Sequence, residues 1–179
     1  MKIYFRVKII RLGYHLTILS VFVLSICSAQ STIEKTIAPD FHYPDINGDT
    51  VILSDFIGKY IIIEVWGTWC APCRKEMPHF EKLIDKYKDE NIVFICLSID
   101  SDHEKWKQFV RDKELKGIQL RTNNYSYTDC YFERINGIRV FDIPRFIIID
   151  KQGYIESKKA PRPSSGELEV VLKKLLNEE

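Results

Sequence analysis

Trp69-Cys70-Ala71-Pro72-Cys73 is the stretch of sequence that decides the fold. It comes soon after the apolar run Tyr60 to Trp66 and just before an amphipathic segment that begins near Arg74. Two cysteines three residues apart, where a strand gives way to a helix, lie on one face of the first helical turn and close enough to react with each other. Unsatisfied N–H groups and the positive end of the helix dipole favour the thiolate of the first cysteine. The stretch therefore predicts a redox site in which Cys70 is the reactive sulfur.

Two other interpretations of the cysteine pair are a structural zinc half-site and an inert disulfide. Structural zinc needs a second pair of Cys or His ligands at comparable spacing. The sequence offers no such pair, because Cys96 lies in an apolar run, Cys130 stands alone and the histidines are scattered. We therefore favour the redox interpretation and expect neither a metal nor a cofactor.

The N-terminus has the layout of a secretory signal peptide. Its charged residues are all basic, and an uncharged stretch from Leu16 to Ile26 leads to the small-residue site Cys27-Ser28-Ala29. That stretch is too short to cross a bilayer of ordinary thickness. We expect a signal peptide over residues 1–29 and one domain over residues 30–179, with an uncleaved anchor as the alternative.

The net charge and a possible lipidation site limit the partners that we expect. The chain has 26 Lys and Arg and 25 Asp and Glu, so loss of the four basic residues of the leader leaves 22 against 25, a net charge near −3. Without a basic cluster, we expect neither nucleic acid nor an anionic membrane surface as partner. Cys27 partly resembles a lipidation site, although Ile26 is too bulky for the position before it. We expect membrane contact only through an uncleaved or lipidated N-terminus.

The acidic segment after the leader contains a turn. Asn47-Gly48 predicts a hairpin that pairs Phe41 to Tyr43 with Val51 to Leu53. We expect no calcium site at this turn, because the distant glutamate of a calcium loop is missing.

Apolar patterning predicts the elements of the core. Three short runs are typical of strands buried on both faces: Ile61 to Val65, Ile92 to Leu97 and Phe146 to Ile149. Between the first two, apolar residues recur at helical spacing from Met77 to Tyr87, which predicts a right-handed strand-helix-strand unit. After the third run, a tight turn predicts an antiparallel partner over Tyr154 to Ser157.

The C-terminal segment predicts one more helix. Ser164 and Glu167 have the spacing of a capping box. The apolar residues that follow form one helix face, which we expect to lie in the core: Leu168, Val171, Leu172, Leu175 and Leu176.

The chain resembles the thioredoxin superfamily and, within it, the exported TlpA/ResA-like thiol-disulfide oxidoreductases. The resemblance covers nearly the whole chain after the leader and rests on four segments: Ala38 to Phe41, Trp66 to Pro78, Trp106 to Val110, and Ile143-Pro144. It implies an α/β fold of three layers, in which a central mixed β-sheet is flanked by helices and extended by an N-terminal β-hairpin.

The resemblance also implies roles around the cysteines. Ile143 and Pro144 would form a cis-proline loop that lies beside Cys70 and Cys73 and offers its backbone to the substrate. Trp69 would shape the apolar docking surface.

Glu64 stands six residues before Cys70, where thioredoxins carry a buried acid. Such an acid has a raised pKa and would accept the proton of Cys73 through water. The alternative is that Glu64 lies at a sheet edge or pairs with a lysine.

By resemblance, Cys70 attacks a substrate disulfide, and Cys73 then resolves the mixed disulfide and leaves a Cys70–Cys73 disulfide. The expected activity is reduction of protein disulfides in the cell envelope or periplasm. Expected partners are exported proteins with cysteines and a membrane or periplasmic electron donor. The alternative is a thioredoxin-like module that binds metal or protein without turnover. We expect the tyrosine-rich stretch Tyr125 to Phe141 to be an insertion that contacts a partner, and Cys130 to lie outside the site.

Overall fold

The computed structural model describes residues 35–122, 134–135, 138–139 and 142–177. Lys35 and the residues after it form one compact unit. The predicted signal peptide, Cys130 and most of the predicted insertion lie outside the described residues. Within the described ranges, no helix has both the length and the apolar character needed to cross a membrane.

The described residues form strands β1 to β9 and helices α1 to α3. In chain order they are β1 His42–Pro44, β2 Thr50–Ile52, β3 Tyr60–Trp66, α1 Ala71–Lys86, β4 Ile92–Ser98, α2 His103–Lys113, β5 Ile118–Arg121, β6 Arg134–Ile135, β7 Ile138–Arg139, β8 Arg145–Ile149, β9 Ile155–Ala160 and α3 Glu167–Asn177. Two short 3₁₀ helices, Leu53–Phe56 and Pro163–Ser165, follow β2 and precede α3.

Five strands form one mixed sheet in the order β5-β4-β3-β8-β9. The pairs β3–β4 and β4–β5 are parallel, whereas β3–β8 and β8–β9 are antiparallel. The three apolar runs of the sequence are the three inner strands, and their side chains are buried on both faces. The predicted central mixed sheet is confirmed.

The three described helices pack against one face of this sheet. From β3 through α1 to β4, and from β4 through α2 to β5, the chain moves in the same direction across the sheet, so two right-handed crossovers place both helices on the same face. Phe80 of α1, Trp106 of α2 and Leu172 of α3 are fully or almost fully buried in one core with Ile62 and Trp66 of β3.

The N-terminal segment covers the opposite face of the sheet. Ala38, Phe41 and Leu53 pack there on the alternate side chains of the inner strands, such as Ile63 and Ile95. The predicted hairpin is confirmed, with Tyr43 opposite Val51. The Asp45 carboxylate closes its turn by accepting hydrogen bonds from the backbone N–H groups of residues 47 and 49.

The C-terminal helix forms as predicted, but its predicted cap is wrong. The Ser164 hydroxyl donates a hydrogen bond to the Glu76 carboxylate at 2.8 Å instead of capping α3. The Ser165 hydroxyl takes over near the helix start by accepting a bond from the backbone N–H of Glu167 at 3.2 Å. A buried carboxylate on another helix therefore competes successfully for the serine that the local pattern assigned to the cap.

Candidate active site

The two cysteines of the central motif lie at the start of α1 and form a disulfide. Their sulfur atoms are 2.03 Å apart. Cys70 is the N-cap residue, and its Sγ accepts a hydrogen bond from the backbone N–H of Cys73 at 3.1 Å. Pro72 occupies the first helical turn, where the missing N–H costs nothing. Cys70 keeps 4% of its surface exposed, whereas Cys73 is fully buried.

The cis-proline loop lies directly beside Cys70. The Ile143–Pro144 peptide bond is cis. The Ile143 carbonyl oxygen is 3.8 Å from the Cys70 sulfur, although the two residues are 73 positions apart in the sequence. Pro144 is buried and Ile143 is half-buried. The structure thus brings together Cys70, Cys73, Ile143 and Pro144, four of the residues that the sequence nominated.

A groove of about 590 Å³ opens over the disulfide. Its lining is mainly apolar: Trp69, Cys70, Ala71, Pro72, Ile99, Asp142 and Ile143. Trp69 is 58% exposed, an unusual position for so large an apolar ring. A Cβ at Gly67 would come within 2.9 Å of this indole, so glycine is needed there for the ring to take its place.

A buried hydrogen-bond network fixes the loop that carries Trp69 into α1. The Asp100 carboxylate, 3% exposed, accepts bonds from the Thr68 backbone N–H at 2.8 Å and from the Thr68 hydroxyl at 2.7 Å. It also accepts a bond from the Ser98 hydroxyl at 2.7 Å. On the other side, the Arg74 guanidinium donates to the Thr68 carbonyl at 2.7 Å. The residue just before the Trp69-Cys70 pair is therefore held from two sides.

Charged groups flank the cis-proline loop. Asp142 forms ion pairs with Arg145 and with Lys159. Partial burial raises the pKa of Asp142, but the hydrogen bonds from Lys159 and Arg145 outweigh it and hold the pKa below its usual range. Asp142 is therefore an ionised carboxylate at the rim of the groove, and its charge is balanced by Arg145 and Lys159.

Glu64 lies on the central strand β3, with neighbouring strands on both sides. Its backbone is opposite Cys96 of β4 and Phe146 of β8, so it is not at a sheet edge. Its side chain is 2% exposed, and among the described residues no lysine or arginine pairs with it. Burial, followed by the charges of Glu76 and Glu81, raises the pKa of Glu64 to about 8. This carboxyl is therefore mostly protonated at neutral pH.

Two buried carboxylates of the site region were missed at the sequence level. Glu76 follows Cys73 by one helical turn, is 4% exposed and accepts bonds from the Ser164 backbone N–H and hydroxyl at 3.0 and 2.8 Å. Its position on the apolar face of α1, next to Met77, could have indicated that it is buried. Asp100 could have been found as an acid at the end of a buried strand.

Cys96 and Trp66 do not line the groove over the disulfide. Cys96 is buried, and desolvation raises the pKa of its thiol well above the usual range. Trp66 is fully buried and belongs to the core. Within the described ranges, no group of three His, Cys, Asp or Glu side chains is arranged to hold a metal ion.

Comparison with known proteins places this geometry in a family. The model of the AhpC/TSA family matches residues 35–158. The chain belongs to the AhpC/TSA family. Thiol-disulfide oxidoreductase ResA of Bacillus thuringiensis subsp. konkukian is 34% identical over 138 residues, which cover 77% of this chain and 76% of that protein.

Solved structures agree with the placement of this AhpC/TSA chain. A candidate thiol-disulfide oxidoreductase from Bacteroides vulgatus has a TM-score of 0.70 and 35% identity, covering 82% of this chain and 99% of that one. The thioredoxin domain of a thiol-disulfide oxidoreductase from the same organism has a TM-score of 0.66 and 26% identity, with 82% and 100% covered. The predicted thioredoxin-like fold is confirmed, and the protein is a thiol-disulfide oxidoreductase.

Asp100→Asn tests the network behind the cysteines. The substitution removes the charge that strengthens the bonds to Thr68 and Ser98, so we expect the free energy of unfolding to fall by about 1.5–3 kcal/mol in urea denaturation. Asp112→Asn, at an exposed position of α2, is the control and should change it by no more than about 0.5 kcal/mol. Equal stability of the two variants would show that Asp100 does not hold the loop.

Glu64→Gln tests the protonation state of the buried acid. The pKa is raised from 4.5 to about 8 in the folded chain, so the folded state binds the extra proton across this interval. The contribution of Glu64 to stability should therefore be largest below pH 4.5 and fall as the pH rises to about 8, by at most about 1.4 kcal/mol per pH unit. We expect urea denaturation at several pH values to show a shallower slope for Glu64→Gln, and the wild-type slope for the exposed control Glu104→Gln.

Proposed function

We propose that the protein reduces disulfides of exported proteins, with Cys70 as the nucleophile and Cys73 as the resolving cysteine. The observation that carries the proposal is the disulfide at the start of α1, beneath an apolar groove and 3.8 Å from the carbonyl of the cis-proline loop. This places the reactive sulfur, the resolving sulfur and a peptide-like backbone edge within one small area. An inert structural disulfide needs neither the groove nor the exposed indole beside it.

The reaction runs through a mixed disulfide. The Cys70 thiolate attacks one sulfur of the substrate disulfide and releases the other as a thiol. Cys73 then attacks the Cys70 sulfur, which forms the Cys70–Cys73 disulfide and releases the reduced substrate. The structure describes the oxidised end of this cycle, in which the hydrogen bond from the Cys73 N–H to Cys70 Sγ lies where a Cys70 thiolate would also be stabilised.

Substrate binding is assigned to Trp69, Ile143 and Pro144. Trp69 supplies an exposed aromatic surface that loses contact with water when a partner docks. The free edge of the cis-proline loop, with the Ile143 carbonyl facing Cys70, suits an extended segment of the substrate. Backbone recognition of this kind accommodates different side chains, so it fits a set of protein substrates.

Glu64 is assigned the role of proton acceptor for Cys73. Cys73 and the neighbours of Glu64 on its strand, Ile62 and Trp66, share the core on the helix-covered face of the sheet. A pKa of about 8 is close to the pH at which such enzymes operate, where a general base is most effective. Glu64 accepts the Cys73 proton only in its ionised form, so it would speed the second attack increasingly as the pH approaches about 8.

The cellular location is proposed from the leader. Residues 1–29 combine basic charge, an apolar stretch and a small-residue site in the order of a signal peptide. Export would place the protein in the cell envelope, where substrate disulfides form and persist. A reductase there needs re-reduction after each cycle, so its second partner is a membrane or periplasmic electron donor.

The direction of the reaction is tested by the reduction potential of the Cys70–Cys73 pair. We expect equilibration of the mature protein with glutathione or dithiothreitol buffers to give a value below about −220 mV, in the range of reducing dithiols. A value above about −150 mV would make the protein a disulfide donor instead. Absence of a reversible couple would favour a binding module without turnover.

Cys73→Ser tests whether Cys70 is the nucleophile and Cys73 the resolving cysteine. With the resolving thiol removed, the mixed disulfide with Cys70 should accumulate and be visible as a species that dithiothreitol releases on a non-reducing gel. Cys70→Ser should give no such species, because the buried Cys73 does not reach the substrate. Asp112→Asn, at an exposed position of α2, is the control and should leave exchange intact. Trapping by Cys70→Ser instead would reverse the assignment.

A further inference from the structure

A second cavity lies on the helix-covered side of the sheet, at Glu64. It is a partly open space of about 10 Å³, which is room for about one water molecule. Side chains of β3, α1, β4 and the segment around β5 line it: Glu64, Trp66, Met77, Phe80, Glu81, Ile84, Cys96, Leu115, Lys116 and Gln119. Neither Cys70 nor Cys73 is among them.

Polar atoms without partners surround this cavity. Within the described residues, Glu64 Oε1, Trp66 Nε1, Glu81 Oε1 and Gln119 Oε1 are all buried and make no hydrogen bond. A buried polar atom that stays unpaired is unfavourable, so four such atoms on residues that line one small space point to a bound group that pairs with several of them. A water molecule typically makes about three such bonds, and the cavity has room for about one.

The cavity has an inner and an outer end. Glu64, at the inner end, is 2% exposed and lies on the central strand. Glu81, two helical turns beyond Cys73 on α1, is half-buried, so its carboxylate has one oxygen inside the protein while the residue as a whole reaches the surface. Exposed Lys116 stands at the same outer end, 2.5 Å from the Asp85 carboxylate. The outer end therefore meets solvent away from the groove over the disulfide.

We propose that Glu81 is the outlet through which Glu64 exchanges protons with solvent, by way of water held in this cavity. The proposal rests on the role of Glu64 proposed above and adds a second acid to it. A substrate protein docked on Trp69 would cover the groove, whereas the route through Glu81 stays open. Proton release would then not depend on the departure of the substrate.

The proton balance of the step is complete. When the Cys73 thiol attacks Cys70 Sγ, the Cys70–Cys73 bond forms, the bond from Cys70 to the substrate sulfur breaks, and that sulfur leaves with the electron pair. The Cys73 proton passes to the Glu64 carboxylate. From there it crosses the cavity water to Glu81 and leaves to solvent, which regenerates ionised Glu64.

The charges around Glu64 set the pH range in which this exchange is visible. Glu76 and Glu81 of α1 and the Cys96 thiol of β4 face the same region, and Lys116 lines the outer end of the cavity. Burial and the two acids raise the pKa of Glu64 to about 8. Both protonation states are therefore populated near that pH, and their exchange can be measured directly.

Carbon-13 NMR of the mature protein with labelled glutamate carboxyls tests the outlet. The resonance that disappears in Glu64→Gln is that of Glu64. We expect this resonance to be a single averaged signal at its titration midpoint in the wild type and in Asp85→Asn. In Glu81→Gln, we expect exchange between the two protonation states to slow by at least about tenfold, with a broadened or split signal, because an amide does not relay the proton.

Asp85→Asn is the matched control, because it removes the same charge from the same helix at a residue that does not line the cavity. An unchanged exchange rate in Glu81→Gln would overturn the proposal. A shifted midpoint with an unchanged rate would do the same, because it shows that Glu81 acts on Glu64 only through its charge.

A second measurement separates this proposal from the one on which it rests. Resolution by Cys73 is followed as the second thiol released after reduced protein reacts with 5,5′-dithiobis(2-nitrobenzoate). A rate in Glu64→Gln lower by about 100-fold would support Glu64 as the base. A rate equal to wild type would overturn that role. The NMR experiment would then still decide whether Glu64 exchanges its proton through Glu81.

Discussion

The burial of strand β3 on both faces and along both edges is the constraint on which the rest of the site depends. Its residues Ile61 to Trp66 are inaccessible or nearly so, because β4 and β8 bond to its edges while helices and the N-terminal segment cover its faces. The chain leaves this rigid strand at Gly67 and begins α1 four residues later. The two cysteines therefore follow directly on a strand that is buried along almost its whole length.

Three buried acids near the site show how hydrogen bonding decides what a carboxyl group does. Asp100 accepts three bonds and Glu76 accepts two, so each serves to fix a neighbouring segment. Glu64 has an oxygen with no partner among the described residues and neighbours of the same charge, so desolvation dominates and its pKa rises to about 8. Similar burial thus yields two structural groups and one group suited to proton transfer.

The groove over the disulfide and the cavity at Glu64 have no lining residue in common. The groove over the disulfide is lined by the loop after β3, the start of α1 and the cis-proline loop. The cavity at Glu64 is lined by the middle of α1 and the segment around β5. Helix α1 contributes to both, since its first turn carries the cysteines and its next turns carry Met77, Phe80 and Glu81. One helix therefore carries the disulfide at its start and lines the cavity at Glu64 along its side.

The sequence by itself determined the cysteine pair at a strand-to-helix junction, the three inner strands, the hairpin and the apolar face of α3, because each follows from the spacing of residues close together in the chain. Only the tertiary structure decided that Ile143 contacts Cys70, 73 residues away in the sequence. It also decided that Asp100 accepts a hydrogen bond from Thr68, 32 residues away. It decided that Ser164 bonds to Glu76, 88 residues away, instead of capping α3. Finally, it decided that Glu64 lines a small cavity together with Glu81 and Gln119. These contacts depend on how distant elements pack, and no local pattern records the partner that a buried polar group will find.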